Sequence, residues 1–342
     1  MSTSSFGEAL RRVAVGEFLS ADEAAGAFDA IMRGEVSEPR MAAFLTALAM
    51  RPPAVAEITG AVRAMRAAMT AVRAPEGAID VCGTGGDGLA TLNVSTATAF
   101  VVAGCGVPVA KHGNRSISSR TGTADVLERL GVSTSLDAQQ AETCLAETGF
   151  CFLFAPKFHP AMKHIASVRR ELGFRTIFNL IGPLSNPAGV RRQLIGVYSR
   201  DWLEPLAQVL RDLETQSAWL VHSTDGMDEI SGAAATEAVT LRNGQIAHVM
   251  LAPEDAGLPR CPASAIAGGD AHENAAEIEQ LLGGKRSAFR NVVVLNAAAA
   301  LIVAGNAADL SSGVAMAAEA LDSGCANDVL RRVQNVSSGA SQ

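Results

Sequence analysis

Four polar clusters in the 342-residue chain carry residue types that could do chemistry. The first is Gly83-Thr84-Gly85-Gly86-Asp87-Gly88, placed between a short apolar run and a helical segment that opens with Asn93, Ser95 and Thr96. Glycines at this density let backbone N–H groups come close to an anion, and polar residues at the helix start can cap it and aim its positive end the same way; phosphate suits such a turn. A glycine string is equally compatible with a plain tight connection. No Gly-Lys-Ser/Thr closes it as a Walker A loop, and G-x-G-x-x-G spacing does not fit.

The second cluster, Lys111-His112-Gly113-Asn114-Arg115-Ser116-Ile117-Ser118-Ser119, directly follows an expected strand at Val107–Ala110. Lys111 offers a point charge for phosphate, and Ser118, Ser119 and Thr123 offer hydroxyls. Asn114 and His112 suit a second, organic substrate, although a surface histidine with no task fits His112 as well. The third is Asp225-Gly226-Met227-Asp228-Glu229, after an expected strand ending at His222. Acidic pairs in turns are commonly just solvated, but a phosphate-rich substrate arrives with Mg²⁺, which takes one or two carboxylates plus phosphate oxygens and water. No His/Cys set at ligand spacing points to zinc. The fourth is Arg169-Arg170, where an arginine overhanging the site would clamp a carboxylate; the residues alone do not choose between the two. No G-x-S-x-G and no activated cysteine is present, which leaves transfer by positioning and electrostatics.

These clusters need a scaffold. Residues 7 to 70 read as helical, with a capping box at Ser20-Ala21-Asp22-Glu23, a helix start at Ser37-Glu38-Pro39 and a break at Pro52-Pro53. Ile58, Val62, Met65 and Met69 form one stripe that needs a partner within a bundle or across a subunit boundary. From Ala78 strands (Ala78–Cys82, Val107–Ala110, Phe150–Phe154, Gln193–Tyr198, Ala218–His222) alternate with helices (Ser95–Gly104, Ala124–Leu130, Asp137–Glu147, Trp202–Glu214), as in a mainly parallel sheet covered on both faces. Asn243-Gly244 between two apolar runs predicts a hairpin. The segment 159–172 reads as a helix outside this alternation, returning to the N-terminal helices over the mouth of the sheet. The expected fold is therefore α/β, with a small discontinuous helical domain (1–72 and 160–188) and a larger α/β domain (73–159 and 189–342).

Net charge −7 and pI near 5.5 argue against a nucleic-acid binder. The six cysteines have no C-x-x-C spacing and read as free buried thiols; with no secretory signal, and with Val292–Ala304 too short to span a bilayer, a cytoplasmic enzyme without membrane attachment is expected.

Taken together, GTGGD at 83–87, NVST at 93–96, KHGNRSISS at 111–119, HPAMKH with VRREL at 159–172, RTIFNLIGPLSNP at 175–187 and DGMDE at 225–229 resemble the anthranilate phosphoribosyltransferase family, over most of the chain and in order. The resemblance implies Mg²⁺-dependent transfer of a phosphoribosyl group from 5-phosphoribosyl 1-pyrophosphate to anthranilate, in a homodimer joined through the helical parts. It implies a donor site of Gly83, Gly86, Asp87, Thr91, Asn93, Val94, Ser95, Thr96, the run Lys111 to Ser119 (His112, Gly113, Asn114, Arg115, Ser116, Ile117 and Ser118 within it) and Thr123. It assigns Gly83, His112, Asn114 and Arg169 to anthranilate, and Ser95, Asp228 and Glu229 to two Mg²⁺ ions. It names no general base. A pyrimidine-nucleoside phosphorylase of the same architecture would work without metal, and the acidic pair and the KHGNR loop weigh against it. A catalytically idle relative that binds nucleic acid conflicts with the net negative charge.

Overall fold

The computed structural model describes residues 3–115 and 121–339. Its N-terminal part is four helices: α1 (Thr3–Ala14), α2 (Ala21–Met32), α3 (Glu38–Ala49) and α4 (Val55–Ala67). Local chemistry sets their starts. Ser20 accepts from the Glu23 amide while Glu23 accepts from the Ser20 amide, a capping box contributing about 1 kcal/mol. Pro39 lies in the first turn of α3, and Pro52-Pro53 separate α3 from α4. Buried Glu57 completes the α4 start: it accepts from the amides of Leu19 and Ala54 and takes two bonds from Arg51.

The stripe on α4 finds its partner within the chain. Ile58, Val62 and Met65 are buried with Phe28, Phe44 and Phe178, whereas Met69 lies beyond the end of the helix. Phe28 meets Phe44 and Phe178 edge-on, at 5.6 and 5.7 Å between centroids. Ile165, Val168 and the run Ile177 to Leu184 join this core, so the segment after His159 does pack with the N-terminal helices. It is not the single helix expected over 159–172. A 3₁₀ turn, Pro160–His164, precedes a short helix, Ala166–Leu172, because Pro160 lacks an N–H and Ile165 departs from helical dihedrals.

The seven strands are β1 (Ile79–Gly83), β2 (Val109–Gly113), β3 (Phe150–Phe154), β4 (Arg192–Gly196), β5 (Ser217–Ser223), β6 (Thr236–Arg242) and β7 (Gln245–Leu251), in the order β3-β2-β1-β4-β5-β6-β7. The first five in this order are parallel; β6 and β7 run antiparallel, joined through Asn243-Gly244, both at positive φ. Both faces are covered. Alternating residues split β1 between two cores: Ile79 and Val81 pack with α5 (Val94–Gly104) and the largely buried helix Ala288–Ala304, while Cys82 faces the helical side. The chain leaves β1 for β2 and β3 on one side and returns to β4 on the other. The carboxyl ends of β1 and β4 therefore border a crevice of the kind in which open α/β sheets bind ligands.

Two expectations need correction. β2 starts at Val109, after Pro108, and runs through Lys111 to Gly113, which places Lys111 and His112 in the sheet rather than on the loop after it. All six cysteines are free, but only Cys82, Cys144 and Cys151 are buried, and Cys325 at the start of the C-terminal helix is exposed. No helix among the described residues is long and apolar enough to cross a membrane.

Candidate active site

The glycine turn leaves β1 and folds back onto β4 and the loop after β5. Thr84 donates its amide to the Gly196 carbonyl at 2.8 Å, and its hydroxyl accepts from the Tyr198 amide at 2.9 Å. Gly85, Gly86 and Gly88 take φ of +64°, +80° and +79°, a run of left-handed positions that only glycine occupies without strain. Asp87 ties the turn internally by accepting from the Leu89 amide at 3.0 Å.

Asp228 reaches this turn from the loop after β5, its carboxylate accepting from the Gly85 amide at 2.9 Å. Gly83 leaves room for it, since a Cβ there would stand 3.0 Å from Asp228 Oδ2. The neighbouring Glu229 caps α5 from outside by accepting from the Ser95 amide at 3.1 Å. This differs from the expected caps. Asn93 is the N-cap residue, but its side chain is engaged by Asn274 at 2.8 Å, and the buried Thr96 hydroxyl has no hydrogen-bond partner among the described residues. Val94 is buried beneath the helix start, and Thr91 pairs with Ala267 in an isolated bridge beside it.

Three carboxylates thus gather at one strand end. Burial pushes the Asp228 carboxyl up to about 7, with Asp87 adding repulsion, and pushes Glu229 up to about 8, with Asp228 adding its own. Lys111 opposes this from below. Its side chain is only 1% exposed, and Nζ donates to the Val81 carbonyl at 2.5 Å between Asp80 and Glu229. Burial draws the lysine down while Asp80 and Glu229 hold it up. Asp80, itself raised to about 6 by burial, accepts from the His112 amide at 3.1 Å and from Asn186 Nδ2 at 2.8 Å. Asn186 also donates to the Ala110 carbonyl, which ties the segment before β4 to β2. Neither Asp80 nor Asn186 stands out in the sequence as a site residue. A lone carboxylate within the apolar run Ile79–Cys82 is the available signal, because a buried acid needs partners.

The other expected residues divide. Asn114 is exposed, its side chain accepting from the Arg115 amide at 2.8 Å; Gly113 and Thr123 lie close together, a Cβ on the glycine falling 3.5 Å from Thr123 Cβ. Arg115 turns away from the glycine turn, pairing with Asp125 at 2.5 Å and with Glu128 on the helix Thr123–Arg129. Ser116, Ile117, Ser118 and Ser119 lie outside the described residues. Arg169 makes no ion pair among the described residues. It is half-buried, with its guanidinium 5.3 Å from the Phe178 ring centroid, and burial lowers its pKa. An uncompensated, partly desolvated cation of this kind is poised for a carboxylate.

His112 faces His159 with ring centroids 5.0 Å apart; among the described residues no group within hydrogen-bond distance meets His112 Nε2 or either ring nitrogen of His159, and the backbones of Gly182 and Ser185 lend the two rings only partial support. Burial drives both below the ordinary histidine range: His112 to about 3, helped by His159, and His159 to about 4. Both are therefore neutral in the folded protein near neutral pH, and their protonation in acid opposes folding. Their contribution is fully present above the unfolded value of about 6.5 and is lost as pH falls from there toward the folded values, at about 1.4 kcal/mol per pH unit for each ring. The raised carboxyls of Asp80, Asp228 and Glu229 push the other way over the same range, so the test is the difference between two proteins: from pH 7.5 to 5.5, urea stability should fall less, or rise more, in His159→Gln than in wild type, and the same pH slope in both would refute the assignment.

Family models place this architecture in a class of group-transferring enzymes. The helical bundle domain of the glycosyl transferase family matches residues 7–69, and its a/b domain matches residues 75–327. The anthranilate phosphoribosyltransferase of Bradyrhizobium diazoefficiens is 55% identical over 328 residues, covering 96% of this chain and 97% of that protein. That of Rhodopseudomonas palustris strain HaA2 is 54% identical over 335 residues, covering 98% and 99%. Among solved structures, the Thermus thermophilus enzyme superposes with a TM-score of 0.91 at 42% identity, covering 96% of this chain and 99% of its own. The Saccharomyces cerevisiae enzyme in complex with PRPP (the phosphoribosyl donor) and Mg superposes at 0.90 with 26% identity, covering 99% of both chains. The chain belongs to the anthranilate phosphoribosyltransferase family of glycosyltransferases.

Proposed function

We propose that this chain transfers the phosphoribosyl group of 5-phosphoribosyl 1-pyrophosphate to the amine of anthranilate with two Mg²⁺ ions bound, giving N-(5-phosphoribosyl)anthranilate and pyrophosphate. The observation that carries the reading is the Asp228–Glu229 pair, locked at once to the glycine turn and to the start of α5. The relatives named above, one of them solved with PRPP and Mg, support it.

The donor set suits Mg²⁺. Asp228 and Glu229 offer carboxylate oxygens whose pKa values are raised by burial and by neighbouring carboxylates, and the Ser95 hydroxyl lies at the same helix start. Among the described residues no three His, Cys, Asp or Glu side chains form a metal group by themselves, which fits an ion completed by substrate phosphates and water. When bound, the metal supplies charge neutralisation for the pyrophosphate.

The chain's own groups account for the rest. Gly83, Gly86 and the start of α5, with Thr91, Asn93 and Thr96, form the floor under the donor. Lys111 acts from beneath, through Asp80 and Glu229, rather than by touching phosphate. The segment Asn114 to Ser119, with Thr123, forms the opposite wall. Arg169 pairs with the anthranilate carboxylate, and neutral His112 and Asn114 border the ring. The neutral aromatic amine needs no deprotonation before it attacks the anomeric carbon, so no dedicated base is invoked; orienting the two reactants contributes on the order of 7–11 kcal/mol. The helical unit 1–72 with 160–188 and the α/β unit 73–159 with 189–342 bring acceptor and donor together. Val15, Phe18 and Met50, exposed on the helical part, support a homodimer through that unit, and the biosynthetic relatives support a cytoplasmic setting.

Loss of anthranilate fluorescence on mixing protein, Mg²⁺, phosphoribosyl pyrophosphate and anthranilate tests the activity; no turnover by folded protein would sink it. Arg169→Ala should raise the anthranilate KM by about 10- to 100-fold while the donor KM stays put. A change confined to the donor KM would assign the arginine to the wrong substrate.

A further inference from the structure

Arg175 stands at the crossing between the two halves of the molecule and has no place in the site described so far. It lies three residues before Phe178, whose ring is fixed in the helical core against Phe28, and on the same stretch as Ile177, also buried there. From that anchorage its side chain crosses to the donor side. The guanidinium carbon sits 4.1 Å from the centroid of Tyr198, the second residue beyond β4, and Nη2 donates to the Gly86 carbonyl. Tyr198 is itself bound to the turn, since its amide donates to the Thr84 hydroxyl. Arg175, Tyr198 and Thr84 thus close a ring of contacts around the glycine turn.

The turn needs such a fastening. Its three left-handed glycines carry no side chains to pack, and Leu89 beside it is exposed. A segment of this composition samples many conformations unless an outside group selects one. Gly86 shows the fit. A Cβ there would stand 3.1 Å from Arg175 Nη2, so the arginine fills the space over the one glycine whose carbonyl it binds. The guanidinium is exposed and makes no ion pair among the described residues; it spends its stacking face on the tyrosine and its donor on this carbonyl. A planar fork that stacks and donates at once does what a lysine cannot.

We infer that Arg175 is a positioning residue for the phosphoribosyl donor: from the helical side it holds the Gly83–Gly88 turn in the form that receives the pyrophosphate. The inference rests on the proposed transferase reading and extends it to a residue outside the expected donor and acceptor sets. Arg175→Ala should raise the donor KM about tenfold, with kcat and the anthranilate KM within about twofold and the unfolding midpoint unchanged. Arg175→Lys should rescue little, because it keeps the charge and loses the stacked fork. Tyr198→Ala should behave as Arg175→Ala, whereas Tyr198→Phe, which keeps the stacking face and loses the hydroxyl's bond to Arg175, should raise the donor KM by less.

Amide hydrogen exchange in peptides covering 83–91 supplies a reading that does not depend on turnover. Exchange should be faster in Arg175→Ala than in wild type, with no change elsewhere. A donor KM within twofold of wild type, or unchanged exchange across the turn, would overturn the inference. Full rescue by lysine would reduce Arg175 to a charge and overturn the stacking role. Wild-type inactivity with accelerated exchange in the variant would refute the transferase reading, and with it the donor as the turn's guest, while the fastening of the turn by Arg175 would stand.

Discussion

Asp228→Ala combined with Glu229→Ala should abolish Mg²⁺-dependent turnover, a loss of at least about a thousandfold, while the protein remains folded. The direction of the stability change separates this site from a structural ion pair. Both carboxyls carry raised pKa values because burial disfavours their charge, with Asp87 repelling Asp228 and Asp228 repelling Glu229, so removing them relieves a strain in the metal-free protein. What is lost is the Gly85 amide bond and the acceptor at the Ser95 amide, worth about 1–3 kcal/mol together. Near-neutral stability with lost turnover is therefore the expected pair of results. A metal held by this pair would stabilise the departing negative charge, which oriented cations in a water-poor site do to the extent of several kcal/mol. Isothermal titration of Mg²⁺ in the presence of the donor, together with urea unfolding, checks both halves. Retained turnover would remove the metal assignment.

Gly196→Ala should also be damaging, for a different reason. Gly196 ends β4 between β1 and β5, and a Cβ built on it falls far inside the contact distance of the Asp228 carbonyl oxygen. Flanked on both sides by paired strands, β4 cannot move away, so the Asp228 peptide must. Its carboxylate would leave the Gly85 amide, and Glu229 would be drawn off the start of α5. A displacement of about 1 Å in a positioning group can cost a hundredfold in rate, and overpacking of this kind costs about 1–3 kcal/mol or more. We expect kcat/KM to fall at least a hundredfold, with a lower urea midpoint. Gly182→Ala is the control, because a Cβ there meets nothing nearer than 3.8 Å and φ is ordinary. A fully active Gly196→Ala protein would mean that the loop after β5 is freer than its contacts imply.

Much of the scaffold is legible in the sequence because its signals are local. The Ser20 capping box, the proline breaks, the Asn243-Gly244 hairpin and the parallel strands depend on neighbouring residues and short periodicities, and the structure carries all of them. Differences arise where a distant partner overrides local preference. Asn93 has the side chain to cap α5, but Asn274 holds it and Glu229 takes the Ser95 amide. Lys111 reads as a loop residue, yet β2 extends through it because β3 pairs with it residue by residue as far as Gly113.

By itself the order of residues offered the chemical groups: a glycine-rich turn suited to an anion, an acidic pair suited to a hard cation, and two adjacent arginines, either of which could meet a carboxylate. Side-chain types and short spacings state these directly. Only the tertiary structure decided which groups meet. Asp228 comes to Gly85 across 143 residues of chain, and Glu229 to Ser95 across 134. Such contacts follow from the sheet order, in which β1 and β4 become neighbours and β5 follows, and that order is settled by burial of both sheet faces at once, a property of the whole chain that no local stretch encodes.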